Sequence, residues 1–392
     1  MKHLRPLAEG LGRYLGWWLS ALVRWRDPLA PMTLRRAAVL LLGMPLFLLV
    51  QLIHAVCLLL DELLFPGYRK VVIKQPLFVT GIPRSGTTFL HRTLAIDHER
   101  YTTLTTWEAL LAPSIVQRKI IHALAWLDQR LGGLGQRGVN ALTRRLAGGL
   151  DDIHEVGLEA AEEDYLALLP VAGCFIMLLA FPAAVGLQQL GHLDRQMPRE
   201  RRQRLLAFYY SCLQRHMYVD GGQRRLLSKN AAFGSWLEGL YALCPDGRFI
   251  ICVREPLAAL NSQISSIDSA RALFGSAVNA DAFQQLFAEQ FADTLEYMNE
   301  TLTRWPTGRA VVVDMADLGA APGEVIPAAL EQLEVKVSER LETHLLALPK
   351  RPHRPRANSG AALVLAQSPL EQRLLPLYYQ LIALPHRTRT KT

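Results

Sequence analysis

The chain has 392 residues, half of them hydrophobic and a fifth charged, a balance too apolar for disorder and too polar for a chain embedded throughout in a membrane. Lys and Arg number 43 against 35 Asp and Glu, and the resulting charge of +8 favours anionic partners such as nucleotides, phospholipid headgroups or nucleic acid. Cys57, Cys174, Cys212, Cys244 and Cys252 form no CxxC pair, which argues against a disulfide framework or a metal site, and no zinc-finger, RNA-recognition or aromatic-interleaved basic pattern supports a nucleic-acid partner.

Residues 1–70 differ from the rest. Trp17, Trp18 and Trp25 lie among Leu and Arg, a composition suited to a membrane interface with the indoles at headgroup level. From Ala37 to Leu60 the chain is apolar apart from Gly43, Pro45, Gln51 and His54, and Asp61-Glu62 closes a run long enough to span a bilayer. Gln51 and His54 keep a buried helix of a soluble core open. The length of the run and its basic flanks favour a span or a re-entrant anchor kinked at Pro45. A signal peptide is disfavoured, because the run starts far into the chain and no small-residue cleavage site follows it. The expected division is a membrane-associated segment over 1–70 and a main domain over 71–392.

The main domain opens with Pro76-Leu77-Phe78-Val79-Thr80, a buried-strand run broken by Gly81, and Thr88 to Leu94 follows with helical spacing. Leu226 to Lys229 reads as a second strand. Arg248 to Arg254, introduced by the turn Cys244-Pro245-Asp246-Gly247, reads as a third, and Ala310 to Asp314 as a fourth. Helical stretches separate them, which predicts an α/β fold of three layers around a mostly parallel, P-loop-like sheet. Between about 122 and 225 no strand pattern is present, and a helical insertion is expected there.

Gly81 and Gly86 have the spacing of a loop whose backbone N–H groups converge on a phosphate at a helix N-terminus. A triphosphate loop would carry Lys at the next position; here it is Thr87, which removes the main cation of a kinase or NTPase. The loop retains Arg84 with the hydroxyls of Ser85, Thr87 and Thr88. That set suits a phosphosulfate anhydride, whose leaving phosphate backbone amides, hydroxyls and one guanidinium can hold without a metal.

The run Pro83-Arg84-Ser85-Gly86-Thr87-Thr88 followed by Leu90-His91 resembles the 5′-phosphosulfate loop of sulfotransferases that use 3′-phosphoadenosine-5′-phosphosulfate (PAPS). It is most similar to the bacterial branch that reads PRSGTT where the cytosolic aryl and steroid enzymes read PKSGTT. The resemblance implies a later Arg-x7-Ser pair for the donor's 3′-phosphate, and Arg254 and Ser262 have that spacing after a strand. Leu227-Ser228-Lys229-Asn230 and Cys244-Pro245-Asp246-Gly247-Arg248-Phe249 are similar to the branch's LSKNP…FPDARF stretch, with Ala231 in place of proline. By the same resemblance Lys229 steadies the transferring sulfonate and Glu108 is the general base. Glu162, Glu163, Asp164, His91 and His154 compete for the latter role, and a solvated helix face is the plain alternative for Glu162–Asp164.

The family's C-terminal lid corresponds to Arg354 through Leu363, without its Tyr. The expected activity is sulfonate transfer from PAPS, as co-substrate and with no metal, to a hydroxyl or amine of a small-molecule, lipid or glycan acceptor. A membrane-tethered nucleotide-binding or kinase-like protein is the alternative. PAPS is made in the cytoplasm, so a re-entrant or interfacial anchor with its bend at Pro45 is expected, with the catalytic domain on the cytoplasmic face of the membrane.

Overall fold

Among the described residues five strands form, β1 Leu77–Gly81, β2 Tyr101–Thr102, β3 Arg225–Lys229, β4 Arg248–Val253 and β5 Ala310–Asp314, all but β2 carrying runs of Leu, Val, Ile or Phe. They appear in a computed structural model that describes residues 4–133, 135, 137, 138, 161–274, 280–348 and 369–388. His154 and the Arg354–Leu363 segment lie outside the described residues. The strands pair in parallel in the order β2-β3-β1-β4-β5. Four match the strands expected from the sequence; β2, with two residues, is too short to show a periodicity.

Strand side chains alternate between two cores, which makes the sheet the middle of three layers. Phe78, Phe249, Ile251, Val253 and Val312 enter one apolar cluster with helices Arg199–Asp220, Ala280–Arg304 and Pro369–Ala383. Leu77, Val79, Ile250, Cys252 and Val311 enter the other, with helices Thr87–Ala95, Pro322–Gln332 and Glu339–Ala347. The free edge of β5 is covered: Val312 N–H donates to His386 O at 2.8 Å, and Thr388 N–H donates to Val312 O at 2.9 Å.

The apolar N-terminal run is continuously helical from Leu34 to Leu64. Pro45 lacks an N–H for the carbonyl one turn back, and the helix widens into a π turn over Val39–Gly43 before continuing as Met44–Leu64. The re-entrant reversal expected at Pro45 is therefore not formed. Leu7, Tyr14, Leu40, Met44, Ala55 and Leu58 belong to the same apolar cluster as Leu166, Leu168 and Tyr209, so this segment packs onto the main domain rather than standing apart from it. The described part of the insertion combines 3-10 turns at Asp164–Val171 and Phe175–Leu178 with the helix Arg199–Asp220.

Candidate active site

The helix after β1 and the helix after β4 leave on opposite faces of the sheet: Leu90 and Leu94 join one core, Leu260 and Ile264 the other. The C-terminal ends of β1 and β4 thus flank a crevice at a topological switch point, where open α/β sheets take their ligands. Gly81 ends β1 beside Cys252 of β4. A Cβ on Gly81 would lie 1.9 Å from Cys252 O, and its φ of +142° is one that only glycine adopts readily. Gly86, with φ +88°, caps the helix Thr87–Ala95, whose first-turn N–H groups have no partner within the helix. Arg84 is also left-handed, at φ +65°, a conformation that costs of order 1 kcal/mol for a side-chain-bearing residue and turns the loop about this point.

The structure gathers three of the predicted donor residues at this crevice. Arg84 Nε donates to Ser262 Oγ at 3.0 Å, and Arg254 Nη1 donates to Arg84 O at 3.2 Å. Glu255 accepts from Leu257 N–H (3.0 Å) and Ala258 N–H (2.7 Å) at the start of the helix Pro256–Leu273. The loop hydroxyls divide by role. Ser85 is fully buried and donates to Ile82 O at 2.6 Å, which shapes the loop, and Thr87 is buried, whereas Thr88 is half-buried.

On the other side of β1, Val79 is in register with Lys229 at the end of β3. Asn230 N–H continues the pairing to Val79 O at 3.0 Å while its side chain accepts from Ala232 N–H at 2.8 Å, turning the strand into the 3-10 helix Ala231–Trp236. Lys229 is 1% exposed, and its ammonium lies 2.6 Å from Glu163 Oε1. Asp164 is 0% exposed; it accepts from Tyr209 OH at 2.8 Å, and Tyr209 OH lies 3.1 Å from Ser228 Oγ. Burial pushes the Asp164 carboxyl up to about 6, against the opposing pull of Ser228 and Tyr209. His91, on the helix after the loop, is buried and lies 2.8 Å from Thr103 Oγ1 through Nε2. Burial, with Lys229 nearby, holds its imidazole down at about 3, so it is neutral.

Glu108 is held by a helix cap and a cationic pair. Its Oε2 accepts from Thr105 N–H at 2.9 Å and from the Thr105 hydroxyl at 3.1 Å, a capping box at the start of the helix Thr106–Leu110. Its Oε1 lies 3.2 Å from Arg118 Nη1 and 3.4 Å from His216 Nδ1. Burial alone would raise this carboxyl, but Arg118, His216 and the Thr105 N–H outweigh it and hold the group well below the usual carboxylate range. Glu108 therefore completes a helix cap and a buried ion pair at the position where the resemblance expects a base. The Thr105-x-x-Glu108 spacing is the sequence signature that indicates the cap. Glu162 N–H donates to Leu104 O at 3.0 Å, and Thr105 bridges Ala161, so the stretch Ala161–Asp164 lies along residues 104–105 and brings Glu163 to Lys229. The burial of Asp164 excludes a fully solvated helix face for this acidic stretch.

The sulfotransferase family model matches residues 181–339, which carry β3 to β5 with Lys229, Arg254 and Ser262. The fold is that of sulfotransferase STF1 from Mycobacterium tuberculosis H37Rv, with a TM-score of 0.69 and 17% identity over 94% of this chain and 92% of that one. Sulfotransferase STF9 from Mycobacterium avium is also similar, with a TM-score of 0.62 and 16% identity over 91% of this chain and 86% of that one. No curated protein sequence matches the chain. Residues 181–339 thus match the sulfotransferase family model, and the chain shares the fold of solved sulfotransferases.

Proposed function

We propose that the chain transfers a sulfonate group from PAPS to a hydroxyl or amine of a small-molecule, lipid or glycan acceptor, at a membrane and with its catalytic domain on the cytoplasmic face. The observation that carries the donor assignment is the Arg84–Ser262 hydrogen bond of 3.0 Å, joined by Arg254 on Arg84 O. It draws a phosphate-type loop at a helix N-terminus together with a second cationic and hydroxyl pair in one crevice. That arrangement fits a nucleotide with phosphates at both the 5′ and 3′ positions, and Thr87 in place of the P-loop lysine disfavours a triphosphate.

The donor supplies an anhydride whose S–O bond breaks as the acceptor–sulfur bond forms, leaving 3′,5′-ADP with the electron pair on its 5′-phosphate. The first-turn N–H groups of Thr87 and Thr88, with the Thr88 hydroxyl, hold the 5′-phosphate; Arg254 and Ser262 hold the 3′-phosphate, and Arg84 bridges the two regions. Lys229, buried at the end of β3, stabilises the bridging oxygen. Glu163 takes the acceptor's proton in this reading because it lies at Lys229, where the sulfonate would transfer, whereas Glu108 lies at Arg118 and His216. Isothermal titration tests the reading: 3′,5′-ADP is expected to bind without magnesium and ATP only weakly with it. Magnesium-dependent ATP binding in preference to 3′,5′-ADP would instead favour the kinase-like alternative.

A further inference from the structure

The helix Leu34–Leu64 is inverted relative to an ordinary amphipathic helix of a soluble protein. Its polar residues face the protein: Gln51 is 2% exposed, His54 4% and Asp61 0%. Its outer face is aliphatic, with Leu42, Leu46, Leu49, Ile53, Val56, Leu60 and Leu63 all exposed at alternating four- and three-residue spacing, Leu42 and Leu63 to 77%. The helix Ile115–Arg130 packs beside it, joined by Gln117 Nε2 to His54 Nδ1 at 2.8 Å, and leaves Ile120, Leu124 and Leu127 exposed. Together they present an apolar face that nothing among the described residues covers, much larger than the scattered exposed leucines of a soluble surface.

The rim of this face is basic and aromatic. Arg24, Arg26 and Arg35 are exposed near one end of the long helix, and Arg69, Lys70 and Lys74 just beyond the other. Trp25 and Trp126 are exposed and each carries a guanidinium over its ring, Arg26 at 4.3 Å and Arg130 at 3.9 Å. Indole paired with cation at the rim of an apolar surface suits the headgroup layer of an anionic bilayer.

Both ends of the long helix are clamped to the domain. Arg36 Nη2 donates to Ala180 O at 2.8 Å. Asp61 accepts from Ile115 N–H and Val116 N–H at 2.9 Å each and pairs with the buried Arg215 at 2.9 Å. The clamps are about 37 Å apart at 1.5 Å per residue. A crossing of the bilayer would carry one of them, with the polar domain surface attached to it, into hydrocarbon, where such groups are costly.

We propose that the chain is monotopic: the helices Leu34–Leu64 and Ile115–Arg130 lie in the plane of one leaflet of an anionic bilayer, apolar face inward, without crossing it. The proposal rests on the membrane-associated reading above and specifies its geometry. The test is flotation of the full chain with vesicles of phosphatidylcholine and phosphatidylglycerol in equal parts, against phosphatidylcholine alone. Binding is expected to the mixed vesicles and to fall at least about tenfold in Leu46→Glu/Leu49→Glu/Ile53→Glu, with near-ultraviolet dichroism unchanged. Single Arg35→Cys and Lys70→Cys variants in a Cys57→Ser background are then expected to react equally with a membrane-impermeant maleimide added outside sealed vesicles. Binding with one of the two positions protected until the vesicles are opened overturns the single-leaflet geometry and leaves membrane association intact. Failure to bind either vesicle, or a detergent-sensitive dimer in place of binding, overturns both.

Discussion

Replacing Glu108 by Gln separates a structural carboxylate from a catalytic one. Gln keeps an oxygen for the Thr105 N–H, so the cap is largely retained, but it gives up the charge facing Arg118 and His216. Arg118 is 1% exposed and Glu108 9%, and stranding one partner of such a buried pair costs about 3–5 kcal/mol. The retained cap argues for the lower end, about 3 kcal/mol, or roughly two orders of magnitude in the unfolding equilibrium. The pH dependence has a definite sign. The folded-state pKa of Glu108 lies below its unfolded value, so its stabilisation is present above the unfolded carboxylate pKa of about 4.3 and is lost as pH falls toward the folded value. Urea unfolding followed by tryptophan fluorescence should therefore separate wild type from Glu108→Gln at neutral pH and bring them together in acid. Sulfonate transfer by the folded variant should stay within about tenfold of wild type, while Glu163→Gln, which removes the base proposed above, should lose about 10²–10⁴. An unchanged urea midpoint in Glu108→Gln, with a hundredfold loss of transfer, would return the base to Glu108.

Gly81→Ala places a methyl 1.9 Å from Cys252 O and should cost at least about 2 kcal/mol in urea unfolding as β1 and β4 are forced apart; wild-type stability with intact 3′,5′-ADP binding would contradict the crevice geometry. Arg254→Ala should weaken 3′,5′-ADP about 10- to 100-fold by titration calorimetry, the worth of a charge-assisted phosphate contact, and leave 5′-AMP nearly unaffected. Equal loss for both nucleotides would mean that Arg254 acts through the loop at Arg84 O. Lys229→Met fills the buried stem but removes the cation, and radiolabelled transfer should fall by about 10²–10³ with 3′,5′-ADP affinity little changed. A fall in affinity as large as the fall in rate would place Lys229 in ground-state binding.

The sheet and the loop were legible for physical reasons. Parallel strands covered on both faces are continuous apolar runs, so β1, β3, β4 and β5 stand out, and the loop's need for left-handed backbone writes Gly81 and Gly86 into the sequence. The acidic side of the site was harder to read. Three consecutive acids at 162–164 look like a solvated face, yet Asp164 is buried against Tyr209 and Glu163 sits on Lys229, partners 45 and 66 residues away that local spacing does not reveal. Glu108 carries two local signals at once: its place near a phosphate loop suits a base, and the Thr105-x-x-Glu108 spacing writes a capping box.

The N-terminal segment shows why apolar content alone leaves the environment of a helix undecided. Hydropathy over Ala37–Leu60 counts residues without regard to face, and by that measure a span, a re-entrant anchor and a core helix are hard to separate. Faces separate them: at 100° per residue Gln51, His54, Leu58 and Asp61 fall on one side and Leu42, Leu46, Ile53 and Val56 on the other. In a soluble helix the aliphatic side would be buried. Here it is the exposed one, and what reverses the orientation is the set of partners that polar side meets, Gln117 for His54 and the buried Arg215 for Asp61. Those partners lie 63 and 154 residues further along the chain, so the polar face can be read from the sequence but its inward direction follows only from the fold.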